Sequence, residues 1–172
     1  NSSWINNGTL TATNGTVILS GNAAQSNASV EGTSETSFYN LTVNKSANNA
    51  ELNQNITIQN NVTLTNGNLE LNNQNLMLTG NYTVNNGHYF QTSGTGGFKR
   101  QVATNVTLTF PVGNDSFTPM KVKNDGTADV FSVRCTPEVL ENGTSGSALT
   151  SNVVDRTWFV EEDVAGGSDL TL

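Results

Sequence analysis

Fourteen carboxylates, one histidine (His88) and one cysteine (Cys135) are the groups in this 172-residue chain that could carry acid–base, nucleophilic or metal chemistry. Their spacing speaks against each in turn. Zinc takes four ligands, mostly nitrogen and sulfur, and one His with one Cys cannot supply them. His88 lies between Gly87 and Tyr89 near a turn, and no Gly-X-Ser-X-Gly elbow offers it a nucleophile. Cys135 closes the strand-like run Val130–Cys135 and reads as a buried, inert thiol. Paired carboxylates could serve a glycosidase, whose retaining form holds them about 5 Å apart. Residues 1–90 offer only Glu31, Glu35, Glu51 and Glu70, spread along the chain. No catalytic residue is assigned, and the chain is expected not to be an enzyme. Asp125 with Asp129, and Glu161, Glu162 and Asp163, are the clusters that could hold calcium. Calcium wants six to eight oxygen ligands, and neither cluster follows a known calcium-loop pattern. Asn124-Asp125-Gly126 is more simply a hairpin turn. No cofactor is expected.

Binding chemistry is the next possibility. Sugars stack on exposed aromatics, and Trp4, Tyr39, Tyr82 and Tyr89 are the candidates, with Trp4, Tyr39 and Tyr89 the preferred set. Trp158 shares a strand face with Val160 and is expected to fill a core. A threonine ladder for ice is broken, because Thr42, Thr57 and Thr79 lack a Thr two residues away.

The bulk composition sets the frame that must position such groups. Asn, Thr and Ser number 27, 24 and 15, all poor helix formers. The chain is therefore expected to be all-β. Charged residues are only 12%, against about 25% in ordinary domains. Seven Lys+Arg against fourteen Asp+Glu exclude a basic nucleic-acid face. No run approaches the ~18 apolar residues of a membrane-spanning helix. Low charge with no possible internal disulfide suits the outside of a bacterial cell. The twelve Asn-X-Ser/Thr sequons follow from the abundance of those residues.

Composition shifts near residue 90. Residues 1–90 hold 22 of the 27 Asn, while sixteen of the 21 charged side chains lie in 91–172. In the first part apolar pairs two residues apart recur every six or seven residues: Ala50/Leu52, Ile56/Ile58, Val62/Leu64, Leu69/Leu71, Leu76/Leu78 and Tyr82/Val84. Period-two pairs signal strands. The short beat suits a parallel β-solenoid with three faces and a coil of roughly 20 residues. Asparagines at its corners would stack coil on coil. A meander of tight hairpins is the rival. After a small-residue hinge at 91–97, the strand candidates lengthen: Phe98–Val102, Val106–Phe110, Met120–Val122, Val130–Cys135, Arg156–Val160 and Leu170–Leu172. Turns at 111–115, 123–126 and 141–146 separate them, which predicts an antiparallel, β-sandwich-like part. The expected organisation is a solenoid over 1–90 and a sandwich-like domain over 91–172.

Several segments carry a resemblance. Ser37-Phe38-Tyr39-Asn40-Leu41-Thr42-Val43-Asn44-Lys45 and the stretch Ile56 to Gly80 are similar to segments of large secreted surface proteins of Bacteroidetes, which commonly leave by type IX secretion. So are Phe110-Pro111-Val112-Gly113-Asn114 with Gly126-Thr127-Ala128-Asp129, and Val154-Asp155-Arg156-Thr157-Trp158 with Ala165-Gly166-Gly167-Ser168. The resemblance implies an adhesin or cell-surface repeat protein. It brings no catalytic residues. Asp115-Ser116-Phe117 resembles the O-glycosylation site of that phylum, which makes Ser116 a modification candidate. Such relatives usually carry a separate C-terminal sorting domain. Its absence and the strand-like ending Asp169–Leu172 lead us to expect an excerpt. The expected function is a non-enzymatic, extracellular structural module of a stalk, filament or adhesin. Its partners would be neighbouring modules or identical subunits meeting through strand edges. The alternative is a polysaccharide-binding module.

Overall fold

The structure is a computed structural model, and residues 3–10, 12–22, 27–85 and 87–172 are described. Among them there is no helix. The strands in order are β1 (Trp4–Ile5), β2 (Thr16–Gly21), β3 (Ala28–Glu31), β4 (Thr36–Lys45), β5 (Ala50–Leu52), β6 (Ile56–Asn66), β7 (Leu69–Glu70), β8 (Leu76–Leu78) and β9 (Asn81–Val84). There follow β10 (Phe90–Gln91), β11 (Phe98–Val102), β12 (Val106–Phe110), β13 (Val112–Gly113), β14 (Met120–Asn124), β15 (Asp129–Thr136), β16 (Thr157–Glu162) and β17 (Leu170–Thr171).

The beat of apolar pairs produces a parallel solenoid of about four turns. Every second side chain points inward, so each pair buries both members and exposes the residue between them. Ala50, Leu52, Ile56, Ile58, Val62, Leu64, Leu69, Leu71, Leu76 and Leu78 are all buried. One face is the parallel series β1-β3-β5-β7-β10-β13. A second stacks the starts of β4 and β6 with β8 and β11: Thr36 pairs with Ile56, Ile56 with Leu76 and Leu76 with Phe98. The third stacks β2, the later halves of β4 and β6, and β9, where Asn40 pairs with Asn61 and Asn61 with Asn81. The coil repeat is thus 20 to 22 residues over these pairs. β4 and β6 each run through two faces, with a register shift between Phe38 and Asn40 at the bend. The parallel register rules out the hairpin meander.

Parallel pairing does not stop at residue 90. β10 and β13 continue the first face, and β11 continues the second. Residues 91–97, expected to be a hinge, form a corner fastened to the coil before it. Gly96 N–H donates to the Asn72 carbonyl at 3.0 Å, and Leu76 N–H to the Gly97 carbonyl at 3.1 Å. The turn expected at 111–115 likewise contains a strand, because Val112 pairs with Phe90 and is fully buried. Small residues here serve close approach. A Cβ on Gly80 would stand 1.9 Å from the Asn60 carbonyl oxygen of the preceding coil.

The change of architecture happens at β11. One edge pairs in parallel with β8, and the other pairs antiparallel with β15, to which β16 adds. A second antiparallel sheet, β12-β14-β17, covers the same end. Buried side chains of both sheets belong to one core that is continuous with the solenoid. Phe98 is its pivot. It stacks on Phe90 at 4.3 Å between centroids, and it meets Phe110 edge to face at 6.0 Å and Tyr82 at 6.3 Å. Cys135 is buried on β15, and Trp158 packs against this core, with its indole N–H donating to the Thr118 carbonyl at 3.0 Å. Phe98→Ala should cost about 3–5 kcal/mol. Ile5→Ala, at a side chain 62% exposed, should stay within about 0.5 kcal/mol. Urea unfolding of the two variants measures both.

Candidate functional site

Each coil turns a corner where backbone groups cannot all pair along the ladder. Asparagine fills that gap. The Asn27 side-chain oxygen accepts the Asn49 N–H at 3.2 Å, Asn49 accepts the Asn68 N–H at 3.0 Å, and Asn68 accepts the Tyr89 N–H at 3.1 Å. A second corner repeats the device: Asn55 takes the Asn75 N–H at 2.8 Å and Asn75 takes the Gly97 N–H at 3.1 Å. Side-chain oxygens here replace the main-chain acceptors that a strand would supply.

The amide nitrogens of the first ladder look outward along the face β3-β5-β7-β10. Register places Ser29, Glu51, Glu70 and Gln91 in one column. Asn27 donates to Glu51 Oε2 at 3.1 Å, Asn49 to Glu70 Oε1 at 2.7 Å and Asn68 to Gln91 Oε1 at 3.4 Å. Glu51 and Glu70 are 19 residues apart in sequence and direct neighbours in the sheet. Sequence reading missed this pair, and only the coil register could have revealed it. A polar groove of about 500 Å³ runs beside the column, lined by Ser3, Asn27, Ser29, Glu31, Asn48, Glu51 and Asn53.

The two ends of the solenoid differ. At the N-terminal end, among the described residues, β1 pairs with β3 alone and β2 with β4 alone. Residues 1–30 carry no charged side chain, and Ile5 and Ile18 stand exposed. At the other end β15 and β16 occupy the edge of β11. The fully buried Thr92 fastens this cap. Its hydroxyl accepts the Cys135 N–H at 3.0 Å and lies 2.9 Å from the Cys135 carbonyl and 3.2 Å from that of Gly113. Asn114 in turn donates to the Thr92 carbonyl at 2.9 Å.

Of the residues singled out from sequence, Trp4 and Tyr39 come together in a groove at the N-terminal end, lined also by Phe38, Asn40 and residues 12–17. Tyr89 does not join them. It is 9% exposed, its ring stacks near Phe117 at 6.4 Å, and a Cβ on Gly113 would strike it. Burial pushes its phenol above the ordinary tyrosine range, which the Asn68 contact partly offsets. No flat face is left for a sugar. Tyr82 is half-buried, with Arg100 over its ring at 5.3 Å, and burial raises its phenol too. Ser116 is exposed, but its hydroxyl accepts from Arg156 at 3.0 Å and faces Asp115, which Arg156 also pairs. His88 is half-buried in the turn closed by its N–H to the Asn85 carbonyl at 2.9 Å. Four of the five carboxylates considered for calcium, Asp125, Asp129, Glu162 and Asp163, have protein partners. Lys123 pairs with Asp125 at 2.7 Å and Lys99 with Asp163 at 2.6 Å. Asp129 accepts the Val130 and Val164 N–H groups, and Glu162 accepts that of Gly166. Among the described residues no three His, Cys, Asp or Glu side chains are grouped as a metal site.

Compared with protein-family models, curated proteins and solved structures, the chain finds no match. The site therefore stands on its own geometry. Asn68→Ala leaves the Tyr89 N–H without its acceptor and should cost about 1–3 kcal/mol. The exposed Asn85→Ala should cost under about 0.5 kcal/mol. Thermal unfolding of the pair reads the difference.

Proposed function

We propose that this chain is a non-enzymatic structural module on the outside of a bacterial cell, part of a stalk, filament or adhesin, whose open coil edge pairs with a neighbouring module or an identical subunit. The observation that carries the reading is the polarity of the solenoid. Its ladder is open at β1 and β2 and closed by antiparallel strands at β11. An open edge offers unpaired N–H and C=O groups to another strand. Proteins that stay monomeric blunt such edges with charge or proline. Residues 1–30 contain neither. The chain carries a net charge of −7, so identical subunits repel through most surfaces but not through this one. The low-charge Asn/Thr exterior and the lack of any need for a disulfide support an extracellular bacterial setting. Resemblance to surface proteins of Bacteroidetes supports it from sequence alone.

Light scattering after size exclusion, at about 10–100 μM chain, tests the assembly. Species heavier than the 18.2 kDa chain are expected, and Ile18→Lys on β2 should return them to monomer. A chain that stays monomeric throughout this range would count against the reading.

A further inference from the structure

We infer that the groove at the N-terminal end is a binding site for a neutral sugar unit of a glycan, with Trp4 and Tyr39 as its apolar walls. The groove has a volume of about 390 Å³, within the range of small-ligand sites. Trp4 packs edge-on against Phe38, at 5.4 Å between centroids and 66° between planes, which fixes the indole. Tyr39 follows Phe38 at the bend of β4, where the chain changes face and side chains splay. Thr13, Thr16 and Asn40 line the same space. Asn40 is itself held, donating to the Gly15 carbonyl at 3.1 Å and to the Thr16 hydroxyl at 3.2 Å.

The chemistry of the lining selects the ligand class. No charged side chain lines the groove, so it offers nothing to a phosphate, a carboxylate or an ammonium group. It offers aromatic surface for the C–H face of a sugar ring, with the hydroxyls of Thr13 and Thr16 for the ring's own hydroxyls. The indole N–H of Trp4 is buried without a hydrogen-bond partner among the described residues. An unpaired buried donor is costly. The polar groove along Glu31 and Glu51 lacks aromatic surface. A single chain holds the whole site, but β1 and β2 contribute Trp4, Thr16 and Val17 to it, so pairing through those edges competes with a glycan.

The test uses the full chain in affinity gel electrophoresis through amylose, xylan, mannan and mixed-linkage β-glucan, with polygalacturonate as an anionic control. At least one neutral polysaccharide should retard the chain, and the control should not. Tyr39→Ala and Trp4→Phe should each weaken retardation about tenfold or more. Trp4→Phe keeps a ring against Phe38, so loss of binding without loss of the urea midpoint separates recognition from folding. In a Trp158→Phe background the remaining indole is Trp4, and its emission should shift on adding the same polysaccharide. Retardation that survives both substitutions, retardation by polygalacturonate alone, or no retardation and no Trp4 shift with any member of the panel would each overturn the assignment.

Discussion

Everything in this molecule answers to the spacing of parallel strands, about 4.8 Å from one backbone to the next. A coil that hydrogen-bonds to the coil before it must repeat that coil's path. Residues in equivalent positions are then forced into columns. Apolar columns such as Ile56–Leu76–Phe98 cost nothing and make the core. Charged columns cost Coulomb energy at every step. This is why residues 1–90 have only five charged side chains. Neutral side chains that can both donate and accept are free to stack, and Asn is the one whose amide also reaches a neighbouring backbone N–H. The column of Glu51 and Glu70 is tolerated because Asn27 and Asn49 each bring an amide donor to it.

A ladder of this kind has no natural end, and the two ends here are treated differently. Toward the C-terminus the core is rich in phenylalanine, with Phe90, Phe98, Phe110 and Phe131 all buried, whereas Phe38 is the buried phenylalanine of the earlier coils. The sheet edge is consumed by β15, and Thr92 joins coil and cap through a hydroxyl that stands in for a strand partner of Cys135. Toward the N-terminus the buried Asn6 donates to the Glu35 carbonyl and the Thr36 hydroxyl at the start of β4, but among the described residues no antiparallel strand closes the ladder there. The geometry therefore divides the chain's surface into a finished end, a polar flank and an unfinished end. Among the described residues, the unfinished end has both the outermost strands β1 and β2 and the aromatic groove.

Much of this architecture was legible in the sequence. Pairs such as Val62/Leu64 mark a strand face by their period alone, and the six-to-seven beat marks a three-faced coil. The strands Phe98–Val102 and Val106–Phe110 stand where their apolar alternation places them. What the sequence hides is register. Composition changes at residue 90, yet the coil continues through 91–97, because glycines that look like a hinge are what close approach to Asn72 and Gln74 demands. Tyr89 looks like a turn aromatic and is buried, because its N–H belongs to the asparagine ladder and its ring lies over Gly113. Register also explains the sequons. Asn40-Leu41-Thr42 and Asn61-Val62-Thr63 stack position on position, each with an inward residue between two outward ones. Strand geometry generates Asn-X-Thr here without any reference to glycosylation.

Corner asparagines complete the continuous parallel ladder. Amide hydrogen exchange, resolved by residue, measures it directly. The N–H groups of Asn49, Asn68, Tyr89, Asn75 and Gly97 should exchange as slowly as the strand amides beside them, since each donates to an asparagine oxygen in the coil before. Exchange of these five at the rate of the exposed loop over residues 141–150 would contradict it.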